Sequence, residues 1–310
     1  MLDVCLLGTG GMMPIPKRFL TALMVRYNGS TCLIDCGEGT QVAMREKGWS
    51  PKPIDVICIT HTHGDHVSGI GGLLLSMGNS DRKEPVTIIG PRGVKRVITS
   101  LCVIAPELPF ELKFIELSEK EESFELYGYT LTAFRVKHSV VCYSYSIEVK
   151  REGKFNLEAA QKLPIPRENW GRLQRGETVV VDGVTYTPDL VMGEPRRGLK
   201  VTYCTDTRPV PAIATHAKDA DLFICEGMYG DWEMIKRAKD KMHMNMYEAA
   251  TIAAQANPKQ LWFTHFSPSL FRPEQYQKEA QKIFPRAYVV KDGTSIDLLF
   301  DDEEDKERDE

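Results

Sequence analysis

The sequence contains no run of about 18 uncharged apolar residues, so no membrane span is expected. It contains no Cys-x-x-Cys pair. Cys32 and Cys36 are close together, but a zinc knuckle would need two more ligands nearby. Most of the eight cysteines lie inside apolar, strand-like runs such as Val56-Ile57-Cys58-Ile59, the pattern of reduced, buried thiols in a cytoplasmic protein. No repeat of fixed period is present. The first residues, Met1 to Gly8, lack a basic segment followed by an apolar one, and they read as a first strand rather than a secretory leader. Histidine is scarce, with seven in 310 residues, so any clustering of it carries information.

What is present is otherwise ordinary. Apolar residues make up 42% and charged residues 26%, as in soluble globular proteins. The length suits one large domain or two small ones. The net charge is −4, and the last ten residues hold eight acids against Lys306 and Arg308, which leaves +2 for residues 1–300. Such an acidic run, 301–310, reads as a solvated, disordered tail. Binding to nucleic acid would have to come from local basic patches.

Short β-rich runs alternate with amphipathic ones. Strands are expected at 3–7, 21–27, 31–35, 55–60, 86–89, 129–136, 141–149, 199–205, 222–226, 261–264 and 295–300. Helices are expected at 39–47, 67–77, 92–101, 231–240, 246–256 and 273–283. The alternation argues for an α/β layered architecture with helices covering sheets. Residues 150–198 break this pattern. They are charged, hold four prolines and show only a short hairpin-like stretch from Glu177 to Thr187, so they read as an arm inserted into a domain spanning 1–300.

The sharpest signal is Thr60-His61-Thr62-His63-Gly64-Asp65-His66, directly after the apolar run 55–60. In extended chain, side chains two apart project to the same side, so His61 and His63 can share one ion. Asp65 and His66 begin the turn into a helix and can face a second. Imidazole with carboxylate suits zinc, and also iron or manganese. His138, Asp206 and His265 each follow a strand-like run, and the ends of strands are where open α/β sheets place their sites. A two-metal site needs a bridging carboxylate, and Asp206 is the natural bridge. His216 has no such context and is assigned to a helix surface.

His-x-His-x-Asp-His with a later His, Asp and His resembles the metallo-β-lactamase superfamily. The resemblance implies an αββα four-layer sandwich and two zinc ions. One would be held by His61, His63 and His138, the other by Asp65, His66 and His265, with Asp206 shared. Within that superfamily the chain resembles the ribonuclease Z family of tRNA 3′-processing endonucleases. Gly8-Thr-Gly-Gly11 leading to Pro14-Ile-Pro-Lys-Arg18, Asp35-Cys-Gly-Glu-Gly-Thr-Gln41, Gly90-Pro-Arg-Gly93, Glu226, and His243-Met-Asn-Met-Tyr-Glu-Ala249 carry that resemblance. Two departures stand out: the family's His-Glu motif reads Cys225-Glu226, and the loop ends Lys17-Arg18-Phe19 instead of Arg-Asn.

The implied reaction is zinc-dependent removal of the 3′ trailer from precursor tRNA by a metal-activated hydroxide. Asp65 would handle the proton of the attacking water. His243, oriented by Glu226, would serve as general acid, worth typically about 10²–10⁴-fold. Lys17 and Arg18 would meet the substrate end. The segment 150–200 holds ten basic residues against seven acids, including Arg167, Arg172 and Arg175, the local excess that phosphate binding needs. The resemblance also implies a homodimer, and the cysteine pattern a cytoplasmic location. The alternative is a phosphodiesterase or esterase of the same fold acting on a small molecule such as a cyclic nucleotide.

Overall fold

The structure is a computed structural model that describes residues 1–105 and 107–301. All of the expected acidic tail except Asp301 therefore lies outside the described residues. Elements are numbered in chain order. The first seven-stranded sheet runs β16 (Thr294–Leu298), β1 (Leu2–Gly8), β2 (Ala22–Tyr27), β3 (Ser30–Ile34), β4 (Ile54–Cys58), β5 (Val86–Pro91) and β6 (Leu112–Leu117). The second runs β15 (Ala287–Val289), β14 (Leu261–Thr264), β13 (Leu222–Glu226), β12 (Arg196–Cys204), β9 (Val141–Arg151), β8 (Tyr129–Lys137) and β7 (Glu121–Leu126). In each sheet one half is parallel, β3 to β6 and β12 to β15, and the other is antiparallel.

Strands covered on both faces read as continuous apolar runs instead of alternating ones. Ile54–Cys58 and Leu222–Glu226 behave this way, and both are buried nearly throughout. Outside the first sheet, α1 (Thr40–Lys47), α3 (Ile70–Asn79) and α4 (Val94–Leu101) pack Ala43, Met44, Leu73, Leu74 and Ile98 onto Leu7, Leu33, Ile57 and Ile88. Outside the second, α7 (Pro211–Ala217), α9 (Met246–Ala256) and α10 (Gln277–Ile283) pack Ile213, Ala250, Ala253 and Ala280 onto Phe223, Phe263 and Leu261. Burying side chains such as Phe223 and Phe263 fully contributes about 1.5–3 kcal/mol each. The expected αββα layering is what the chain adopts.

Several elements differ from expectation. The helix expected at 67–77 is split into α2 (Gly64–Val67) and α3. The one expected at 231–240 opens as a 3₁₀ turn, Trp232–Met234, before α8 (Ile235–Lys241). β6, β7 and β15 were not expected. β6 and β7 are edge strands, one in each sheet, rich in charged residues and partly exposed along most of their length.

Two compact units divide the described chain: 1–148 with 199–299, and 149–198 with Phe300 and Asp301. The second has its own small core, in which Ala160, Ile165, Leu173, Val179, Tyr186 and Val191 pack with Trp170. It contains α5 (Leu157–Lys162), α6 (Trp170–Gln174) and a hairpin of β10 (Val179–Val181) and β11 (Val184–Tyr186). The hairpin turns at Asp182-Gly183, both with positive φ, as a two-residue turn of the primed type requires. No described helix is long and apolar enough to cross a membrane.

Candidate metal centre

Five strand ends converge on one spot. β4 leads into His61, His63, Asp65 and His66; β8 into His138; β12 into Asp206; β13 ends at Glu226; and β14 leads into His265. The seven residues singled out as metal ligands form two adjoining groups. His61 Nε2 is 2.9 Å from His63 Nδ1, which is 3.3 Å from His138 Nε2. Asp206 Oδ2 lies 3.6 Å from His61 Nε2 and 3.7 Å from His138 Nε2. In the other group, Asp206 Oδ1 is 3.2 Å from His66 Nε2 and 3.1 Å from His265 Nε2. Asp65 Oδ2 is 3.2 Å from His265 Nε2 and 3.6 Å from His66 Nε2. The two oxygens of Asp206 thus face different groups.

These spacings fit a cation. Donors about 2.0–2.1 Å from a tetrahedral zinc lie about 3.3 Å from one another. His66 Nε2 and Asp206 Oδ1 are also buried with no hydrogen-bond partner, a costly state unless an ion satisfies both. His61, His63, His138 and Asp206 could hold one ion, and Asp65, His66 and His265 a second.

The surroundings fix the donors. Asp35, fully buried at the end of β3, accepts from the backbone and hydroxyl of Thr60 and lies 2.8 Å from His66 Nδ1. A proton on Nδ1 leaves the Nε2 lone pair free for a ligand, the usual arrangement around metal-bound histidine. Cys142 Sγ lies 3.8 Å from His61 Nδ1. Met12 N–H donates to Asp65 Oδ2 at 2.6 Å. A Cβ on Gly11 would stand 2.6 Å from the His265 ring, so only glycine lets this loop come so close. Met12, Asp35, Asp206 and His265 all have positive φ, strained conformations of the kind that cluster at functional sites.

Electrostatics follow from crowding. Burial disfavours charge on Asp206, yet His265, His66 and His61 hold it well below the usual carboxylate range. Burial likewise works against His66, but Asp206 and Asp35 outweigh it and raise its pKa. On His61 burial wins, reinforced by His66, and the imidazole stays neutral more readily. His243 Nδ1 is 3.1 Å from Glu226 Oε2 and 3.9 Å from Asp206 Oδ2. Burial would lower its pKa, but the Glu226 charge and hydrogen bond lift it to about 9.

The other sequence-derived residues are placed differently. Lys17 is exposed with positive φ. Arg18 is half-buried. Its guanidinium donates to the carbonyls of Leu270, Ser267 and Phe271 and lies over the Phe266 ring, so it holds the loop after His265 in place. Arg167, Arg172 and Arg175 belong to the second unit and are exposed there. Arg167 lies over Trp170, while Arg172 and Arg175 pair with Glu177. His216 stacks on Phe134, with ring centroids 4.0 Å apart. Asp35, Thr60 and Arg208 (described below) were given no role from the sequence. A lone acid ending the apolar run 30–34 was the available signal for Asp35.

A two-sheet sandwich with paired His/Asp clusters at its strand ends defines a hydrolase of the metallo-β-lactamase superfamily. A family profile described as "Beta-lactamase superfamily domain" matches residues 190–266, and one described as "Anti-Pycsar protein Apyc1" matches residues 2–160. The chain is 58% identical to a ribonuclease Z of Lachnospira eligens over 98% of its length and 100% of the relative's. It is 59% identical to a ribonuclease Z of Lachnoclostridium phytofermentans, with the same coverage. The crystal structure of the short form of human tRNase Z superposes with a TM-score of 0.69 at 23% identity, covering 96% of this chain and all of that one, which shows the shared fold. The chain belongs to the ribonuclease Z family.

Proposed function

We propose that the protein is an endoribonuclease that removes the 3′ trailer from precursor tRNA. The observation that carries this reading is the pairing of a two-cation ligand set with a buried His243–Glu226 pair on the same cluster of strand ends. Full-length similarity to ribonuclease Z proteins supports the RNA substrate. His61, His63 and His138 with Asp206 Oδ2 would hold one cation, and Asp65, His66 and His265 with Asp206 Oδ1 the other. The N/O donor set suits zinc, with manganese or iron as alternatives. Bound cations supply Lewis acidity toward a phosphoryl oxygen and toward the attacking water.

The chain's own groups do the rest. Asp65, steadied by Met12 N–H, orients the attacking water and takes its proton. His243, whose Nδ1 is held by Glu226, is placed to deliver a proton to the leaving 3′-oxygen. Lys17 meets the substrate end, and Arg167, Arg172 and Arg175 contribute to phosphate binding.

We assign the protein to the cytoplasm as a homodimer. Eight free, buried cysteines support a reducing compartment. α1 and α4 each pack beside α3, and the exposed Val42 on α1, Leu75 on α3, and Val103 and Ile104 after α4 support an association face across them.

A small phosphodiester would use the same cations, and the inserted unit separates the two readings. Removal of residues 155–190 is expected to weaken precursor tRNA binding by at least about tenfold through lost phosphate contacts, while hydrolysis of bis(p-nitrophenyl) phosphate persists. Unchanged RNA binding would favour the small-molecule reading. Equal loss on both substrates would make the unit part of the folding core.

A further inference from the structure

The loop after β12 carries three consecutive residues with three kinds of partner. Asp206 faces both histidine groups. Thr207 N–H donates to Glu226 Oε1 at 2.5 Å, and Thr207 Oγ1 accepts from Lys137 N–H at 3.0 Å. Arg208 N–H donates to the Lys137 carbonyl at 2.8 Å, immediately before the ligand His138. The Arg208 guanidinium reaches elsewhere. Nη1 donates to the His243 carbonyl and, at 2.9 Å, to Glu248 Oε2, while Nη2 donates to Glu248 Oε1.

Glu248 is itself the third residue of α9 and closes a capping box. It accepts from Asn245 N–H at 3.1 Å, and Asn245 Oδ1 accepts from Glu248 N–H at 2.8 Å. His243 sits in the turn between α8 and α9, just after Met242 in a left-handed conformation. The Arg208 and Glu248 side chains are only 12% and 11% exposed. A shielded, bidentate Arg–carboxylate pair fixes geometry in a way a single ammonium cannot.

We propose that Arg208 is a positioning residue for His243. By gripping the His243 carbonyl and the first turn of α9, it ties the proton donor to the loop that presents Asp206 and anchors Glu226. Donor and metal ligand are then held as one frame. The proposal rests on the reading of His243 as the group that protonates the leaving oxygen.

That role predicts a dependence on the leaving group, which a general structural role would not. A 3′-hydroxyl leaves poorly without a proton, whereas p-nitrophenolate leaves unaided. Arg208→Lys and Glu248→Gln in the metal-loaded, full-length protein are to be assayed on precursor tRNA and on bis(p-nitrophenyl) phosphate. Metal content and thermal midpoint are to be measured alongside. Because only part of the general-acid contribution is lost, kcat on RNA is expected to fall on the order of 10–100-fold, with KM changed less than about twofold. Activity on the small diester should stay within about threefold, since that leaving group needs no acid, and metal content should be unchanged.

Equal loss on both substrates, loss of metal, or no loss on either would overturn the proposal. Should Arg208→Lys fail to fold, Glu248→Gln decides the same contrast, because it keeps the shape of the side chain. His243→Ala run in parallel distinguishes the failures. If it lacks the leaving-group contrast, the reading of His243 is wrong and Arg208 falls with it. If it shows the contrast while both neighbouring variants do not, the positioning role alone is wrong.

Discussion

Asp206→Asn is expected to strip at least one cation from the protein and reduce RNA cleavage by about 10³-fold or more. The magnitude follows from the several kcal/mol of charge stabilisation that a Lewis-acidic cation contributes, at about 1.36 kcal/mol per decade of rate. Asp206 is the carboxylate that faces both groups of imidazoles, with Oδ1 3.1 Å from His265 and Oδ2 3.6 Å from His61. Its negative charge is also the one that His265, His66 and His61 stabilise most directly. Asparagine is the informative replacement. It tolerates the positive φ at this position better than most residues, so a loss of metal will not be confused with backbone strain. Elemental analysis with circular dichroism is the check. A folded variant that still binds two cations per chain would show that the two groups do not share this residue.

His243→Ala has the second largest expected effect, and of a different kind. Both cations should remain, and cleavage should slow by about 10²–10⁴-fold, the usual range for a general acid. His243 Nδ1 is committed to Glu226 at 3.1 Å, and its ring stacks on that of His265 with centroids 5.5 Å apart. It borders the ligand set, and His265 already has a place there. Metal analysis on the purified variant decides between roles. Loss of a cation together with activity would make His243 a ligand, which its closeness to Asp206 and His265 allows geometrically.

Much of the centre was legible because its chemistry is local. His61, His63, Asp65 and His66 fall within six residues, and no packing argument accounts for such a run. His138, Asp206 and His265 were readable one by one, as polar residues placed just after buried strands. The rest depends on register across the fold. Asp35 lies 31 positions from the His66 it orients, and Arg208 lies 40 from Glu248. Asp35 opens the Asp35-to-Gln41 motif, but nothing in that motif names His66 as its partner, and Arg208 looks like an ordinary charged loop residue. The same limit applies to the secondary structure. The buried strands β4 and β13 announce themselves as apolar runs, whereas β6 and β7 owe their existence to a neighbouring strand's hydrogen bonds more than to their own composition. Arg18 shows another face of the same limit: its charge suggests a contact with substrate, and only the fold reveals that its guanidinium also donates to carbonyls of the loop beyond His265.

The most direct test of the account is cleavage of a precursor tRNA bearing a 3′ trailer by the purified, zinc-loaded protein, with the cut mapped. The account predicts one cut after the discriminator base, a 3′-hydroxyl on the tRNA and complete loss of activity with chelator. Absence of that cut, beside vigorous hydrolysis of small phosphodiesters, would contradict the RNA assignment while leaving the metal centre intact.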